Sequence, residues 1–458
     1  MTREGHDEKK FGLLGHPLKH SLSPYIHERI MSDCGIKGTY DLFQVAPEDF
    51  ESKAGDILDQ LDGCNVTIPY KEKIIRFLKR TEGEAGTFMT VNTVSQGLGY
   101  STDVDGLLAS GIPFEGSNML ILGAGGAARA VALAAKDSGC RTIGIWSRRS
   151  EQAEELKRKF YGSGTLEEIF VEPSAEVLPE KTVLFGKTGR YYDLIVNATP
   201  AGMWPECGDC PVSKEMIISA GYVFDTIYNP LATRLVLTAR SFGVKAGSGL
   251  DMLIAQAAAS QKIWNPGADL TGFSSLKLKQ SLKYKMLELF PVKIVLTGFM
   301  GSGKTTTGRA LAKALGIGFK DLDLVIENEY GMTVSEIFRD HGEAFFRSSE
   351  SRLLQQIMKE NDSLVVATGG GALLNKVNLD LVKANRGFVF FLDVDLGIIS
   401  QRISGDPGRP LLITKTYEET RQLYTERMPL YRYAADHTVH ASKDTSDVVA
   451  DIKAALGF

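Results

Sequence analysis

The sequence predicts an α/β protein with parallel sheets, arranged in two halves. Three observations carry that prediction. Apolar, β-branched runs such as TIGIW, DLIVNAT, YVFDTI, SLVVAT and FVFFLDV alternate with helix-length segments. Two further runs lead straight into a glycine turn and a helical stretch: NMLILGAGGAARAVALAAKDSG and KIVLTGFMGSGKTTTGRALAKAL. Between the halves, KLKQSLKYKMLELFP reads as a basic amphipathic helix that stops before Pro291, after which VKIVLTG opens a new buried strand.

Length and composition bound the rest. The 458 residues exceed the roughly 100–200 of one domain, so two or three folded units are expected. With 43% hydrophobic and 24% charged residues the chain reads as globular, and a net charge of −4 gives no reason to expect nucleic-acid or membrane binding. The charged start MTREGHDEKK is followed by no apolar stretch, so no signal peptide is expected, and no apolar run approaches the roughly 18 residues of a membrane span. Five cysteines, an odd number and mostly widely spaced, give no disulfide framework and fit a reducing, cytoplasmic setting. Cys207 and Cys210 form a C-x-x-C pair, but in a Pro/Gly-rich stretch that reads as a loop.

In the first half, Gly123, Gly125 and Ala128 fit the G-x-G-x-x-G/A fingerprint of a dinucleotide site. Gly123 suits the tight turn, and Gly125 lets a pyrophosphate approach the backbone. Gly126 and Ala127 open the helix whose N-terminus faces the phosphates. The next strand ends in Ser147-Arg148-Arg149, where an NAD site would place Asp or Glu. Guanidinium groups suit a 2′-phosphate, so the cofactor is expected to be NADP(H); the alternative is a solvated basic turn.

Four other clusters combine hydroxyls, amides, one amine and one carboxylate. They are Gly15 to Pro24 (GHPLKHSLSP), Asn65 to Lys71 (NVTIPYK), Val91-Asn92-Thr93 with Ser101-Thr102-Asp103, and Leu250 to Gln256 (LDMLIAQ). That inventory suits a polyhydroxy carboxylic acid. His16 and His20 are four apart, but Pro17 intervenes, which speaks against a helical metal pair.

These clusters, the glycine turn and Ser147-Arg148-Arg149 together resemble shikimate dehydrogenase, from residue 11 to about 285. The resemblance implies that Ser21 and Ser23 hold a substrate carboxylate, that Thr67, Asn92 and Gln256 bind ring hydroxyls, and that Lys71 and Asp103 form the catalytic pair. It also implies a place for Tyr228 near substrate and nicotinamide, and for Thr199 and Met203, in NATPAGM, along the cofactor. Three positions depart from the family pattern. Its Asn-Arg-Thr triplet is here Ser147-Arg148-Arg149, and Ser101 stands where Asn is usual.

In the second half, GFMGSGKT, Gly298 to Thr305, is a complete P-loop between a strand and a helix. Its expected ligand is ATP with Mg²⁺. Gly301, Ser302, Gly303 and Thr306 would lie along the phosphates, Lys304 would reach them, and Thr305 would ligate the metal. Asp321 and Asp323 are predicted to end a short strand with both carboxylates on one face, Asp321 for Mg²⁺ and Asp323 for a substrate hydroxyl. Thr368 to Gly371, FRSSE from Phe346, Arg409 in a lid-like stretch and Arg427 complete a set that resembles shikimate kinase over 292–458. The resemblance implies that Asp323, Arg347, Gly370 and Arg427 bind shikimate, that Arg409 reaches the transferring phosphate, and that Arg402 lies by the adenine. Tyr433-Ala434 departs from the usual Glu-Val.

The expected layout is a two-domain dehydrogenase over 1–285, a linker at 286–291 and a P-loop kinase over 292–458. Within the dehydrogenase, 1–112 and 249–285 form the substrate domain and 113–248 a Rossmann-like NADP domain. The implied substrates are 3-dehydroshikimate and shikimate. A rival for the first half is an NAD-dependent quinate dehydrogenase, against which Arg148-Arg149 speaks. A rival of another class is a binding module with one dead half, against which the Lys71/Asp103 pair and the P-loop speak.

Overall fold

The computed structural model describes residues 8–19, 21–83, 85–86, 88–160, 168–171, 192–403 and 416–458. Three sheets organise it. The first contains β1 (Lys9–Gly15), β2 (Gly38–Gln44), β3 (Gly63–Val66), β4 (Arg80–Thr81), β5 (Thr93–Ser95) and β6 (Leu98–Tyr100), ordered β2-β1-β3-β5-β6-β4. The helices between these strands are α1 (Ser23–Asp33), α2 (Phe50–Gln60) and, after β6, α3 (Thr102–Leu108). β1 runs parallel to β2 and β3, but β5 is antiparallel to both β3 and β6. The sequence prediction of parallel sheets missed this hairpin. Its cause is local: Gln96 and Gly97 both take positive φ (50° and 80°), the conformation of a two-residue hairpin turn.

The second sheet is parallel throughout: β7 (Asn118–Leu122), β8 (Thr142–Trp146), β9 (Glu168–Val171), β10 (Leu194–Asn197), β11 (Tyr222–Asp225) and β12 (Lys245–Ser248). Its order, β12-β11-β10-β7-β8-β9, reverses direction between β7 and β10. That is the topological switch point where doubly wound sheets bind ligands. Its helices are α4 (Gly126–Asp137), α5 (Ser150–Phe160), α6 (Lys214–Ser219) and α7 (Arg234–Ser241). Alanines make α4 thin. Ala128, Ala130, Val131, Ala132, Ala134 and Ala135 are all fully buried, so the helix lies tight on the sheet. Next come α8 (Leu250–Trp264) and α9 (Ser275–Leu289), the latter ending before Pro291 as the sequence predicts.

The third sheet, also parallel, contains β13 (Lys293–Thr297), β14 (Gly318–Asp321), β15 (Leu364–Ala367), β16 (Gly387–Asp393) and β17 (His437–His440), ordered β14-β15-β13-β16-β17. It carries α10 (Lys304–Leu315), α11 (Leu322–Tyr330), α12 (Val334–Lys359), α13 (Lys376–Ala384), α14 (Leu396–Ile403), α15 (Tyr417–Ala434) and α16 (Thr445–Leu456). Phe388, Val389, Phe390 and Phe391 on β16 are all within 1% of complete burial, the mark of a strand covered on both faces.

By its contacts the chain falls into two compact units. One holds residues 1–200, 211–228 and 244–282; the other holds 201–210, 229–243 and 283–458. The second unit thus includes α7 and the Cys207 loop along with the third sheet. Arg234 on α7 forms a buried ion pair with Asp436, just before β17, and donates to the carbonyls of Cys207 (3.1 Å) and Gly387 (2.7 Å). Burial pushes the Cys207 thiol up to about 12, and Cys207 and Cys210 are not joined in a disulfide.

Candidate active sites

In the first sheet, β1 and β3 are parallel neighbours, so the loops after them emerge side by side. The His16 amide donates to the Ile68 carbonyl, and Thr67 packs so closely on Gly15 that a Cβ there would meet its Cγ2 at 2.4 Å. Ser21 and Ser23 follow in the first loop, the Ser21 hydroxyl accepting from the Ser23 amide at the start of α1. Because β5 runs antiparallel to β3, Asn92 enters from the same end, and α3 leaves β6 there too. Topology alone therefore gathers the motifs of residues 15–24, 65–71, 91–93 and 101–103.

Side chains lock the gathering. Lys71 is ion-paired and hydrogen-bonded to Asp103, whose other carboxylate oxygen accepts from Asn92 Nδ2 at 2.9 Å. The same Asn92 amide reaches Gln256 Oε1 at 2.8 Å, while Asn92 Oδ1 accepts the Thr102 amide at 2.8 Å. Beneath them, Asn65, Thr93, Thr102 and Ser260 form a buried hydrogen-bonded layer at 2.9–3.2 Å. A satisfied buried network holds such groups in one arrangement. Asn65 and Ser260 carried no individual role in the sequence reading, because no short motif marks a second layer.

At the switch point, Gly123 has φ +111°, and a Cβ on it would meet the Ala198 carbonyl oxygen at 3.0 Å and Thr199 Cγ2 at 3.2 Å. The loops after β7 and β10 therefore touch, and only glycine fits the first. Asn197 Oδ1 fixes Thr199 through both its amide (3.0 Å) and its hydroxyl (2.7 Å). A Cβ on Gly125 would meet nothing within 4 Å, which leaves space over the first turn of α4, at Gly126 and Ala127, for a pyrophosphate. Ser147 is buried after β8 and accepts from the Arg149 amide, while Arg148 and Arg149 are exposed. These residues fit a phosphorylated dinucleotide. Tyr228 is half-buried after β11, and burial pushes its hydroxyl up. Met203 is exposed and belongs to the second unit.

In the third sheet, the central strand β13 delivers the P-loop, with Gly301 and Gly303 at φ +79° and +89°. Ser302 Oγ is buried and has no protein partner among the described residues, as a phosphate-facing hydroxyl would be. Lys304 Nζ donates to the Gly298 and Phe299 carbonyls, and Thr306 is exposed on the first turn of α10. The Thr305 hydroxyl donates to Asp321 Oδ2 at 2.6 Å, which joins the two oxygens expected at Mg²⁺. Hard oxygen donors of this kind fit that cation. Arg402 points at the loop, its Nη1 lying 3.8 Å from where a Cβ on Gly303 would stand.

The expectation that Asp321 and Asp323 share one strand face is corrected. Asp321 ends β14 and caps α11, its Oδ1 accepting from the Asp323 and Leu324 amides, so Asp323 lies in the first helical turn. Aspartate is a strong N-cap, and the helix takes over two residues earlier than the strand pattern implied. Asp323 nonetheless faces the triple glycine: a Cβ on Gly369 would meet both Asp323 Oδ1 and Glu350 Oε1 at 2.8 Å. Arg347 binds Glu350 at 2.9 Å and lies against Gly371; Tyr431 donates to the Gly370 carbonyl. Burial raises the Glu350 carboxyl, with Arg347 and Arg427 pulling it back. Glu350 and Tyr431 had no role in the sequence reading. Arg409 and His20 lie outside the described residues.

A dinucleotide-dependent oxidoreductase joined to a P-loop phosphotransferase is the class these sites define. Residues 13–94 match the family model for the shikimate dehydrogenase substrate-binding domain, and residues 300–456 match that for shikimate kinase. The chain is 36% identical over 265 residues to a shikimate dehydrogenase (NADP(+)) of Caldanaerobacter subterraneus, covering 56% of this chain and 91% of that one. It is 38% identical over 258 residues to the shikimate dehydrogenase (NADP(+)) of Archaeoglobus fulgidus, covering 55% and 91%. A solved chorismate mutase/shikimate 5-dehydrogenase fusion protein from Clostridium acetobutylicum aligns at 32% identity and a TM-score of 0.51, over 61% of this chain and 98% of that one. The chain belongs to the shikimate dehydrogenase family and carries a shikimate kinase domain after it.

Proposed function

We propose that this chain is a bifunctional enzyme that reduces 3-dehydroshikimate to shikimate with NADPH and then phosphorylates shikimate with Mg-ATP to shikimate 3-phosphate. The observation that carries the first activity is the Lys71–Asp103 pair, bonded into the Asn92–Gln256 cluster beside the first turn of α4. Bound NADPH supplies a hydride to the substrate carbonyl carbon. Negative charge then develops on the carbonyl oxygen, where Lys71 Nζ stabilises it and delivers the proton. Asp103 orients the amine, and Asn92 holds Asp103. Ser21 and Ser23 bind the substrate carboxylate, Thr67, Asn92 and Gln256 its hydroxyls, and Tyr228 lies near substrate and nicotinamide. Gly123, Gly125, Gly126 and Ala127 take the pyrophosphate, Ser147, Arg148 and Arg149 the 2′-phosphate, and Thr199 borders the cofactor.

For the second activity, bound Mg-ATP supplies the phosphoryl group. Gly301 to Thr306 cradle the phosphates, Lys304 neutralises them, and Thr305 and Asp321 hold the metal's coordination shell. Asp323 orients the attacking hydroxyl, Arg347, Gly370 and Arg427 hold shikimate, and Arg409 and Arg402 serve the phosphate and the adenine. Positioning and charge are most of what phosphoryl transfer requires. The residues 286–291 are the junction between a dehydrogenase over 1–285 and a kinase over 292–458. The enzyme acts on dissolved small molecules in the cytoplasm, binding neither nucleic acid nor membrane; the net charge of −4 supports this.

Single substitutions test the assignment. Lys71→Met should abolish NADPH oxidation and leave shikimate phosphorylation intact, and Lys304→Met should do the reverse. Loss of both activities in either variant, or of neither, contradicts it.

A further inference from the structure

Lys71 is followed directly by Glu72, and the two side chains engage different partners. Lys71 meets Asp103, whereas Glu72 forms an ion pair with Arg129. Arg129 is the fourth residue of α4, the helix opened by the glycine turn, and its side chain is only 9% exposed. A second contact joins the same two pieces: a Cβ on Gly126, the first residue of α4, would stand 3.8 Å from Lys71 Cδ. The partner carboxylate is referenced to α4 as well. Asp103 sits on α3, whose Val104 and Leu107 pack in one apolar cluster with Ala128 and Val131 of α4. Both members of the Lys71–Asp103 pair are thus tied to the helix at the dinucleotide site, one by packing and the other by an ion pair.

We propose that Glu72 and Arg129 are a positioning pair that sets the Lys71 amine against the bound dinucleotide, which rests on the dehydrogenase function proposed above. Neither side chain touches the reacting atoms. The general acid must lie within hydrogen-bond reach of the carbonyl oxygen while the hydride donor, carried on another domain, reaches the carbon. An error of about 1 Å in such placement costs up to about 100-fold in rate. A buried arginine clamp from the cofactor helix to the residue next to Lys71 fixes that distance. Substrate affinity depends on Ser21, Ser23, Thr67, Asn92 and Gln256, none of which contacts the clamp, so the pair should act on kcat and not on the KM for substrate.

The test uses the full-length chain, in which the KM for 3-dehydroshikimate reports the folding of the altered unit and kinase activity that of the other. In Glu72→Gln and in Arg129→Lys, which keeps the charge but replaces the guanidinium fork by a single ammonium, dehydrogenase kcat should fall about tenfold or more. The KM for 3-dehydroshikimate and the kinase rate should stay within about twofold. The acidic and basic limbs of the kcat–pH profile should also move, because the Lys71 loop is no longer held in one setting. The exchange Glu72→Arg/Arg129→Glu should recover most of the rate. Unchanged kcat in both single variants overturns the proposal, and so does a fall in kcat that comes only with a comparable rise in the KM for 3-dehydroshikimate in both. Absence of NADPH oxidation in the unaltered chain would instead refute the dehydrogenase function itself.

Discussion

Asp436→Asn probes the most deeply buried ion pair described in the second unit. Arg234 and Asp436 each expose only 6% of their side chains. Asp436 uses both oxygens: Oδ1 faces Arg234, and Oδ2 accepts the Val389 amide at 2.8 Å on β16. An asparagine amide has one acceptor, so its NH₂ must face either the guanidinium or the Val389 N–H, donor against donor. Breaking a buried pair from one side costs about 3–5 kcal/mol. Arg234 keeps its bonds to Cys207 and Gly387, so the lower end, about 3 kcal/mol, applies. For a unit of this size that lowers the melting midpoint by roughly 6–12 °C. Calorimetry, with residual kinase activity after heating, gives the shift. The double change Arg234→Met/Asp436→Leu removes both charges but also the partners of the Val389 amide and the Cys207 and Gly387 carbonyls, so it should return only part of the loss. A shift below about 2 °C in Asp436→Asn would refute the reasoning, and with it the integration of α7 into this unit.

Three further outcomes follow from the same structure. Gly125 has φ −82° and ψ −167°, open to any residue, and its Cβ would meet no protein atom within 4 Å. Gly125→Ala should therefore fold normally, yet raise the KM for NADPH about tenfold or more, or about 1.4 kcal/mol; steady-state kinetics checks this. Gly369→Ala would drive a methyl into Asp323 and Glu350, so the kinase KM for shikimate should rise at least about tenfold with dehydrogenase kinetics unchanged. His27 is buried, stacked on Tyr40 and bonded to Gln261, and burial lowers its pKa from 6.5 to about 3. Between those values the unfolded chain binds the extra proton. The contribution of neutral His27 is therefore whole above pH 6.5 and declines by up to about 1.4 kcal/mol per unit as pH falls. His27→Gln should flatten the urea-midpoint profile between pH 6.5 and 4.

Much of this was legible in the sequence because the signals are local. The β7 and β13 strands, their glycine turns and the helices after them each occupy one continuous stretch in which periodicity, turn chemistry and helix propensity agree. The Gln96-Gly97 hairpin escaped, since its strands are only three residues each. Asp323 was misplaced because strand alternation and N-capping compete at Asp321, and the cap prevailed. The tertiary partners stayed hidden. Nothing near Glu72 points to Arg129, nothing near Arg234 points to Asp436, and Glu350 resembles a surface helix residue until Gly369 is seen against it. The roles of Lys71 and Asp103 came from resemblance; the sequence spacing alone does not bring the two residues together.

The most direct test supplies the full-length chain with 3-dehydroshikimate, NADPH, ATP and Mg²⁺, and follows NADPH loss and ADP release together. ADP should appear only as NADPH is oxidised, with one nucleotide consumed at each site for every substrate carried through. ADP release independent of NADPH, or NADPH loss with no ADP, would contradict the proposed function.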